Sequence, residues 1–151
     1  MSDENNTIDN ESQTIPTWYT PVTVVALIWN LLGFMAFVSH LMMTPETIAT
    51  LPPAEQELYT NAPGWLIYAF GIAVIGGSLG SLGLVMKKIW AIPLLEVSLL
   101  GVLAQNYHTF FASNSIEVLG QAAIGMPIMV IIIAVLLIIL GFKMKNKGVL
   151  A

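Results

Sequence analysis

The sequence lacks two residue types entirely, since it contains no cysteine and no arginine among its 151 residues. Without cysteine, structural disulfides, thiolate-bound zinc, iron–sulfur clusters and cysteine nucleophiles are excluded. All five basic residues are lysines, and the absence of a basic stripe argues against nucleic-acid binding. Charged residues are also scarce, at 9% of the chain, whereas an ordinary soluble domain contains about 25%.

Hydrophobic residues are abundant instead, at 56% of the chain, and they are concentrated in four long runs. Each run has roughly 20 or more residues, enough for a helix to cross a hydrocarbon core of about 30 Å. None of the runs alternates as a transmembrane strand would. The sequence therefore predicts an all-α, polytopic integral membrane protein that forms a four-helix bundle over residues 21–143. The predicted helices cover residues 22–43, 64–86, 89–112 and 121–142.

The lysines predict the orientation of these helices. Lys87 and Lys88 separate the second and third runs, and Lys143, Lys145 and Lys147 follow the fourth run. With four spans, both groups of lysines lie on the same side of the membrane, and the other two connections contain no lysine. The positive-inside rule then predicts that the N and C termini are both cytoplasmic.

The sequence also yields predictions for three of the segments outside the predicted spans. Residues 1–20 are polar and acidic, and they predict a disordered cytoplasmic tail because they bury too little apolar area to fold. Residues 144–151 predict a short basic cytoplasmic tail. The outer loop, residues 44–63, contains Thr44-Pro45-Glu46 and later Pro52-Pro53, two patterns typical of helix N-termini. We expect this loop to form short helical turns that cover the outer end of the bundle, or else a solvated connection without a role.

Polar residues inside the apolar runs predict a candidate site, because polar groups in lipid are costly and rare. Counting residues along each helix places Asn30, Ser78 and Glu96 at a similar depth in the cytoplasmic half of the membrane. We expect Glu96 to face the bundle interior or a water-filled crevice and to form a hydrogen bond with Asn30 or Ser78. The carboxyl group then either relays protons or contacts a substrate, or it is neutral and fixes helix packing. Exposure at a thinned lipid interface is the third interpretation that the sequence leaves open.

A second polar layer is predicted nearer the outer face, and it consists of His40, Gln105 and His108. A zinc site would need at least one more fixed ligand beside the two histidines. We therefore predict no metal site and expect both histidines to be satisfied near the membrane interface.

The second apolar run contains small residues at intervals of three and four positions. Small side chains at this spacing let helix backbones approach closely, which supplies dispersion contacts in lipid. The pattern predicts helix packing within the bundle or across a homo-oligomer interface, and a sliding surface in a transporter is the alternative. The residues are Ala73, Gly76, Gly77, Gly80, Ser81 and Gly83.

Several short stretches resemble a group of uncharacterised, short, four-helix bacterial inner-membrane proteins that are often labelled sugar transporters. The stretches are Trp29-Asn30-Leu31-Leu32-Gly33, Met43-Thr44-Pro45-Glu46, Pro52 to Tyr59 with Pro63 and Trp65, Gly76-Gly77 through Gly83, and Pro127-Ile128-Met129-Val130. The resemblance covers roughly residues 18–147. It implies a four-helix topology and a bacterial inner-membrane location. It assigns no catalytic or binding residue to this sequence.

These observations leave three functions open. The first is a transporter or permease component for a small solute, sugar-like by that label, that works as a homo-oligomer in the lipid bilayer. The second is a structural or accessory protein that binds a larger membrane partner. The third is a membrane-embedded redox protein or other enzyme, which ranks last because no nucleophile, metal constellation or cofactor motif is present. The sequence thus predicts neither an enzyme nor a bound cofactor.

Overall fold

The computed structural model describes residues 14–151, and the chain is all-helical in this range, with 78% helix and no strands. The predicted all-α class is confirmed. Of the predicted acidic tail, residues 1–13 lie outside the described residues. Four long and three short α-helices follow, and one π-helical turn. They are α1 Tyr19–Leu41, α2 Pro45–Ile48, α3 Pro53–Thr60, α4 Trp65–Val85, α5 Ala91–Tyr107, the π-helical turn His108–Ala112, α6 Ser115–Leu119 and α7 Ala122–Asn146.

Three helices, α1, α4 and α7, are long and apolar enough to cross a membrane. Helix α5 has 17 residues, which corresponds to about 26 Å at 1.5 Å per residue. The helix predicted over 89–112 therefore exists as two directly consecutive parts, an α-helix and then the π-helical turn. At the junction the backbone N–H of His108 bonds to the carbonyl oxygens of both Ala104 and Gln105.

Helix α4 lies at the centre of the bundle, where it packs most extensively against α5 and also against α1. Helix α7 packs chiefly against α5. Glycines on α4 make these approaches close: a Cβ built at Gly76 would lie 3.0 Å from the carbonyl oxygen of Leu94. One built at Gly80 would lie 2.7 Å from the side chain of Leu95. The small residues of α4 thus lie inside the bundle, at the interface with α5.

The end of the bundle at which the described residues begin and end, the termini end, is closed by apolar packing. Tyr19 is fully buried, and its hydroxyl donates to the carbonyl oxygen of Leu84. Helix α1 consequently begins at Tyr19, earlier than the predicted residue 22, because this tyrosine is anchored in the core. The surrounding cluster includes Leu84, Ile92, Leu95, Leu137 and Met144.

The C-terminal residues also pack onto this end. Helix α7 continues to Asn146, beyond the predicted end at residue 142. The Ala151 N–H donates to the Lys87 carbonyl at 2.9 Å, and the Ile89 N–H donates to the Ala151 carbonyl at 3.0 Å. Leu150 is buried. The segment 144–151 is therefore part helix and part an ordered return that covers the α4–α5 turn.

The opposite end, called the loop end, carries α2, α3, the π-helical turn and α6. The two short helices expected in the 44–63 loop are confirmed as α2 and α3. Thr44 caps α2, because its Oγ1 accepts from the Thr47 N–H at 3.2 Å. The Glu46 backbone N–H and then the Thr44 hydroxyl lower the pKa of the Glu46 carboxyl, which favours its charged form.

Candidate functional site

A cavity of about 350 Å³ lies inside the bundle. Side chains of α1, α4, α5 and α7 line it. Because α1 packs against α4 whereas α7 packs against α5, the cavity lies between α1 and α7 with α4 and α5 behind it. Its lining is apolar apart from a few groups. The lining includes Trp29, Asn30, Ala73, Ser98, Gln105 and Ala134.

Asn30 lies midway along α1 and joins that helix to α4. Its Nδ2 donates to the Ala26 carbonyl at 2.9 Å and to Ser81 Oγ at 2.8 Å. Asn30 Oδ1 lies so close to Gly77 that a Cβ at that position would overlap it. Because Gly77 has no side chain, the Asn30 side chain fits between α1 and α4. With both amide hydrogens donated, Oδ1 is the atom left to accept a hydrogen bond from a ligand.

Ser78 and Ser98, which both lie near the depth of Asn30, have different roles. Ser78 Oγ donates to the backbone carbonyl of Asn30 at 3.2 Å, so two of the residues predicted at one depth are in contact, through the main chain of Asn30. Ser98 on α5 is buried, and its hydroxyl donates to the Ala73 carbonyl of α4. Ser98 Oγ and Asn30 Oδ1 both flank Gly77. Asn30, Ser81 and Ser98 thus connect α1, α4 and α5 at one depth.

Glu96 is not part of this group. Its side chain is exposed, and it does not line the cavity. The physical reason is angular: Glu96 and Ser98 are two positions apart, which turns the two side chains about 200° from each other on an α-helix. Since Ser98 faces α4, Glu96 faces away from it. The expected hydrogen bond from Glu96 to Asn30 or Ser78 is replaced by the bond between Asn30 and Ser81.

The three residues of the predicted outer layer lie in three different environments. His40 stacks on Tyr59 of α3, with ring centroids 5.6 Å apart, and meets the edge of Phe70 of α4. His108 meets Trp65 edge-on at 6.0 Å. Gln105 lines the cavity near its loop end. Both histidines thus close the loop end by aromatic packing, and only Gln105 adds a hydrogen-bonding group to the cavity.

The electrostatic character of the cavity is neutral. Within the part of the chain that the structure describes, the lining contains no Asp, Glu, Lys or His. In the same range no cluster of three His, Cys, Asp or Glu residues is placed to hold a metal ion. The cavity offers an amide oxygen from Asn30, a hydroxyl from Ser98 and an amide from Gln105. It is therefore suited to an uncharged molecule that is mostly apolar and has one or two hydrogen-bonding groups.

Sequence reasoning did not select Ser98 as part of the site or Tyr19 as a buried anchor. A signal for Ser98 was present, because it lies seven residues before Gln105 and shares a helix face with it. For Tyr19 the pattern predicts the opposite, since an aromatic residue at the start of a span is typical of the headgroup level. Its hydroxyl bond to Leu84, 65 positions further along the chain, depends on tertiary structure.

The Asn30–Ser81 bond predicts a measurable coupling between α1 and α4. We expect Asn30→Ala and Ser81→Ala each to lower the thermal unfolding midpoint in detergent, and the double variant to lower it by less than the sum. The coupling should be about 0.5–1.5 kcal/mol, as for other hydrogen bonds between helices in membranes. Ser39→Ala is the matched control, because the Ser39 hydroxyl bonds only within α1, to the Met35 carbonyl. Strictly additive effects of the two variants would contradict the bond.

Comparison with known proteins adds no relative, since no family model, curated protein or solved structure matches the chain.

Proposed function

We propose that the chain is a bacterial inner-membrane protein with four spans and cytoplasmic N and C termini, in which α5 and the π-helical turn together form the fourth span. The two parts are consecutive and total 22 residues from Ala91 to Ala112. All five lysines belong to the termini end, in the α4–α5 turn or in the last turns of α7 and beyond. The positive-inside rule supports a cytoplasmic position for that end.

The absence of native cysteine allows a clean test of this topology. We expect a single cysteine at Ala49, in the exposed loop end, to react with a membrane-impermeant maleimide in spheroplasts. A cysteine at Asn146, at the exposed termini end, should react only after the membrane is permeabilised. Labelling of both sites, or only of the Asn146 site, in sealed spheroplasts would overturn the proposed orientation.

For the function, we propose a small transporter or permease component that binds an uncharged, largely apolar solute in the cavity between α1 and α7. One observation supports this proposal above all: a neutral cavity of about 350 Å³ that contains Asn30, Ser98 and Gln105. Its size lies within the range of about 300–1,000 Å³ that is typical of small-molecule sites.

The chemistry of the lining bears on the solute class. A free sugar carries a hydroxyl on most of its carbons, and each buried hydroxyl without a partner costs about 1–3 kcal/mol. The cavity has too few hydrogen-bonding groups to satisfy them. The label that the sequence resemblance suggests is thus less well supported than an apolar solute with one polar end.

The route into the cavity also favours an apolar solute. Apolar packing around Tyr19 and Leu84 closes the termini end. At the loop end, Phe37 packs edge-on against Phe70 at 5.1 Å, and His40 and Tyr59 stack above them. The remaining side lies between α1 and α7, where the exposed surface is apolar. A solute dissolved in the bilayer has direct access there, whereas a solute in water does not.

An accessory role is the second candidate, and one observation favours it. A polar groove of about 170 Å³ lies at the loop end between α3, the π-helical turn and α6, and Glu57, Asn61 and His108 contribute to it. Such a groove could hold a polar segment of a larger membrane partner. This interpretation predicts that Glu57→Ala disturbs partner binding.

Thermal stabilisation tests the proposed function directly, because a ligand that binds only the folded state raises the unfolding midpoint. We expect decanol, an apolar chain with one hydroxyl, to stabilise the purified protein in detergent, and glucose to have no such effect. Stabilisation by glucose and not by decanol would overturn the apolar assignment. No stabilisation by any uncharged solute would favour the accessory role.

A further inference from the structure

Glu96 is the only acidic residue in the four long helices α1, α4, α5 and α7, and its position is unusual. It lies in an exposed stripe of α5 whose other members are apolar or aromatic, and Leu100 in that stripe is 67% exposed. Glu96, Leu100, Leu103 and Tyr107 are spaced by four, three and four residues, so they share one helix face. That face points away from α4 and from the cavity, which Leu95, Ser98 and Val102 of α5 line.

The depth of Glu96 makes exposure to lipid costly. Trp90 precedes α5 and lies at the level expected for the headgroups, and six residues correspond to about 9 Å of helix rise. Glu96 therefore lies inside the hydrocarbon layer in the proposed topology. Ionisable side chains at such depths are rare and normally pair with a group of opposite charge. A single copy of the chain leaves this carboxyl facing lipid.

Helix α7 presents a complementary stripe. Ile132, Leu136 and Ile139 are each more than half exposed, and Lys143 is exposed one turn further on. The spacing of four, three and four residues again places them on one helix face. This face is turned away from the side of α7 that contains Leu137, Gly141 and Met144, which are buried against the bundle. Lys143 lies at one end of the α7 stripe, and Glu96 lies at one end of the α5 stripe.

The relative heights of the two charges follow from a contact between α5 and α7. A Cβ at Gly141 would lie 3.0 Å from Ile92 Cγ1, so these residues lie at the same depth. Glu96 is four residues above this depth and Lys143 is two residues below it, an offset of about 9 Å. Side chains on a helix lean towards its N-terminus. Since α5 and α7 run in opposite directions, Glu96 and Lys143 lean towards each other, which shortens the gap.

We propose that the α5 and α7 stripes form the interface between two copies of this chain, in which Glu96 of one copy pairs with Lys143 of the other. A two-fold axis along the membrane normal brings α5 of each copy against α7 of its partner, so the pair forms twice. Rotation about the membrane normal leaves every depth unchanged, so Glu96 of one copy and Lys143 of the other keep the offset of about 9 Å that the leaning side chains shorten. The interface lies on the side opposite the cavity, so both cavities stay open to lipid.

Cross-linking tests this interface, and the cysteine-free sequence makes it specific. By the contact between Gly141 and Ile92, Ile132 lies close to the depth of Leu100. We expect Leu100→Cys in one copy and Ile132→Cys in a differently tagged copy to form a mixed disulfide in membranes. Leu31→Cys on α1 is the depth-matched control partner for Leu100→Cys, because Asn30 and Ser98 both flank Gly77. Equal yields from the two pairings would overturn the interface.

The ion pair itself is tested in the same assay. Glu96→Lys should lower the Leu100–Ile132 mixed disulfide roughly tenfold or more, since it places two like charges together and leaves both unpaired in lipid. Adding Lys143→Glu in the same chain restores opposite charges and should recover most of the yield. An unchanged yield in Glu96→Lys, with an unaltered unfolding midpoint, would overturn the pair. Failure of the charge swap to recover the yield would overturn it as well. Decanol stabilisation does not depend on either outcome, so the two proposals can fail separately.

Discussion

Ala134→Phe is expected to abolish stabilisation of the protein by decanol at concentrations that saturate the unaltered chain. Ala134 lies on α7 and lines the cavity opposite α1. A phenyl ring there occupies the space between the two helices and blocks the side that is open to the bilayer. The fold should survive, because the ring fills existing space in the cavity instead of displacing packed neighbours.

The size of the effect follows from binding linkage. A ligand at 100 times its dissociation constant stabilises the folded state by about 2.7 kcal/mol. For a chain of this length that corresponds to a rise in the unfolding midpoint of about 5–10 °C. We expect this rise in the unaltered protein and less than a fifth of it in Ala134→Phe.

Val135→Phe is the matched control for Ala134→Phe. It is the next residue on α7, it is exposed, and it does not line the cavity. The control therefore adds a ring of the same kind to the lipid-facing surface and also corrects for any effect of decanol on the detergent micelle. An equal loss of stabilisation in both variants, or in neither, would contradict a binding site between α1 and α7.

Gly101→Ala is expected to destabilise the protein more than any other glycine-to-alanine change in α5 or α7. A Cβ at Gly101 would lie 2.7 Å from the Ala69 carbonyl oxygen and 2.8 Å from the Ala73 backbone nitrogen. Both atoms belong to the backbone of α4, which cannot yield as a flexible side chain would. Overpacking of this kind costs about 1–3 kcal/mol, and we expect the unfolding midpoint in detergent to fall by about 3–10 °C.

Gly125→Ala provides the comparison within the same protein. It lies inside α7, and a Cβ there would meet nothing within 4 Å. Alanine is favoured over glycine in a helix by about 0.5–1 kcal/mol, so this variant should be neutral or slightly stabilised. A similar midpoint for the two variants would contradict the close approach of α4 and α5. Because Ala73 and Ser98 also line the cavity, Gly101→Ala should weaken decanol stabilisation as well.

The positions of the helices follow from the sequence because each apolar run is long and bounded by polar or charged residues. The residues at which the helices begin and end are predicted less accurately. Helix α1 begins at Tyr19, since the tyrosine hydroxyl reaches Leu84, and α7 continues through Lys143 and Lys145 to Asn146. Lysines do not end a helix, because their side chains favour the negative end of its dipole. Hydropathy alone therefore places these ends several residues too early or too late.

The depth of each polar residue also follows from counting, whereas the direction it faces does not. Asn30 and Ser98 lie at one level, as helix rise predicts, yet Glu96 faces outward. In a soluble helix an apolar stripe identifies the buried side, but a helix in lipid is apolar on every side. The small residues of α4 are the better guide, because they mark the side on which α5 approaches. Gly77 in particular shows where Asn30 and Ser98 meet.

The cavity could not be predicted from the sequence at all. It exists because α1 and α7 pack against different helices and leave space between them. Such a space depends on the packing of all four long helices, and it has no pattern within any one of them. Trp29 lies too deep in α1 for an interface aromatic, and its position is explained because it lines this space.

Trp29 also provides the most direct test of solute binding. In a variant that retains it as the single tryptophan, with phenylalanine at Trp18, Trp65 and Trp90, fluorescence can be titrated with a terminally brominated long-chain alcohol in lipid vesicles. A bound quencher in the cavity predicts a saturating curve that decanol reverses by competition. A companion variant that retains only Trp90, outside the cavity, should show quenching that rises in proportion to the alcohol in the bilayer. Proportional quenching of Trp29 that decanol leaves unchanged would contradict a binding site between α1 and α7.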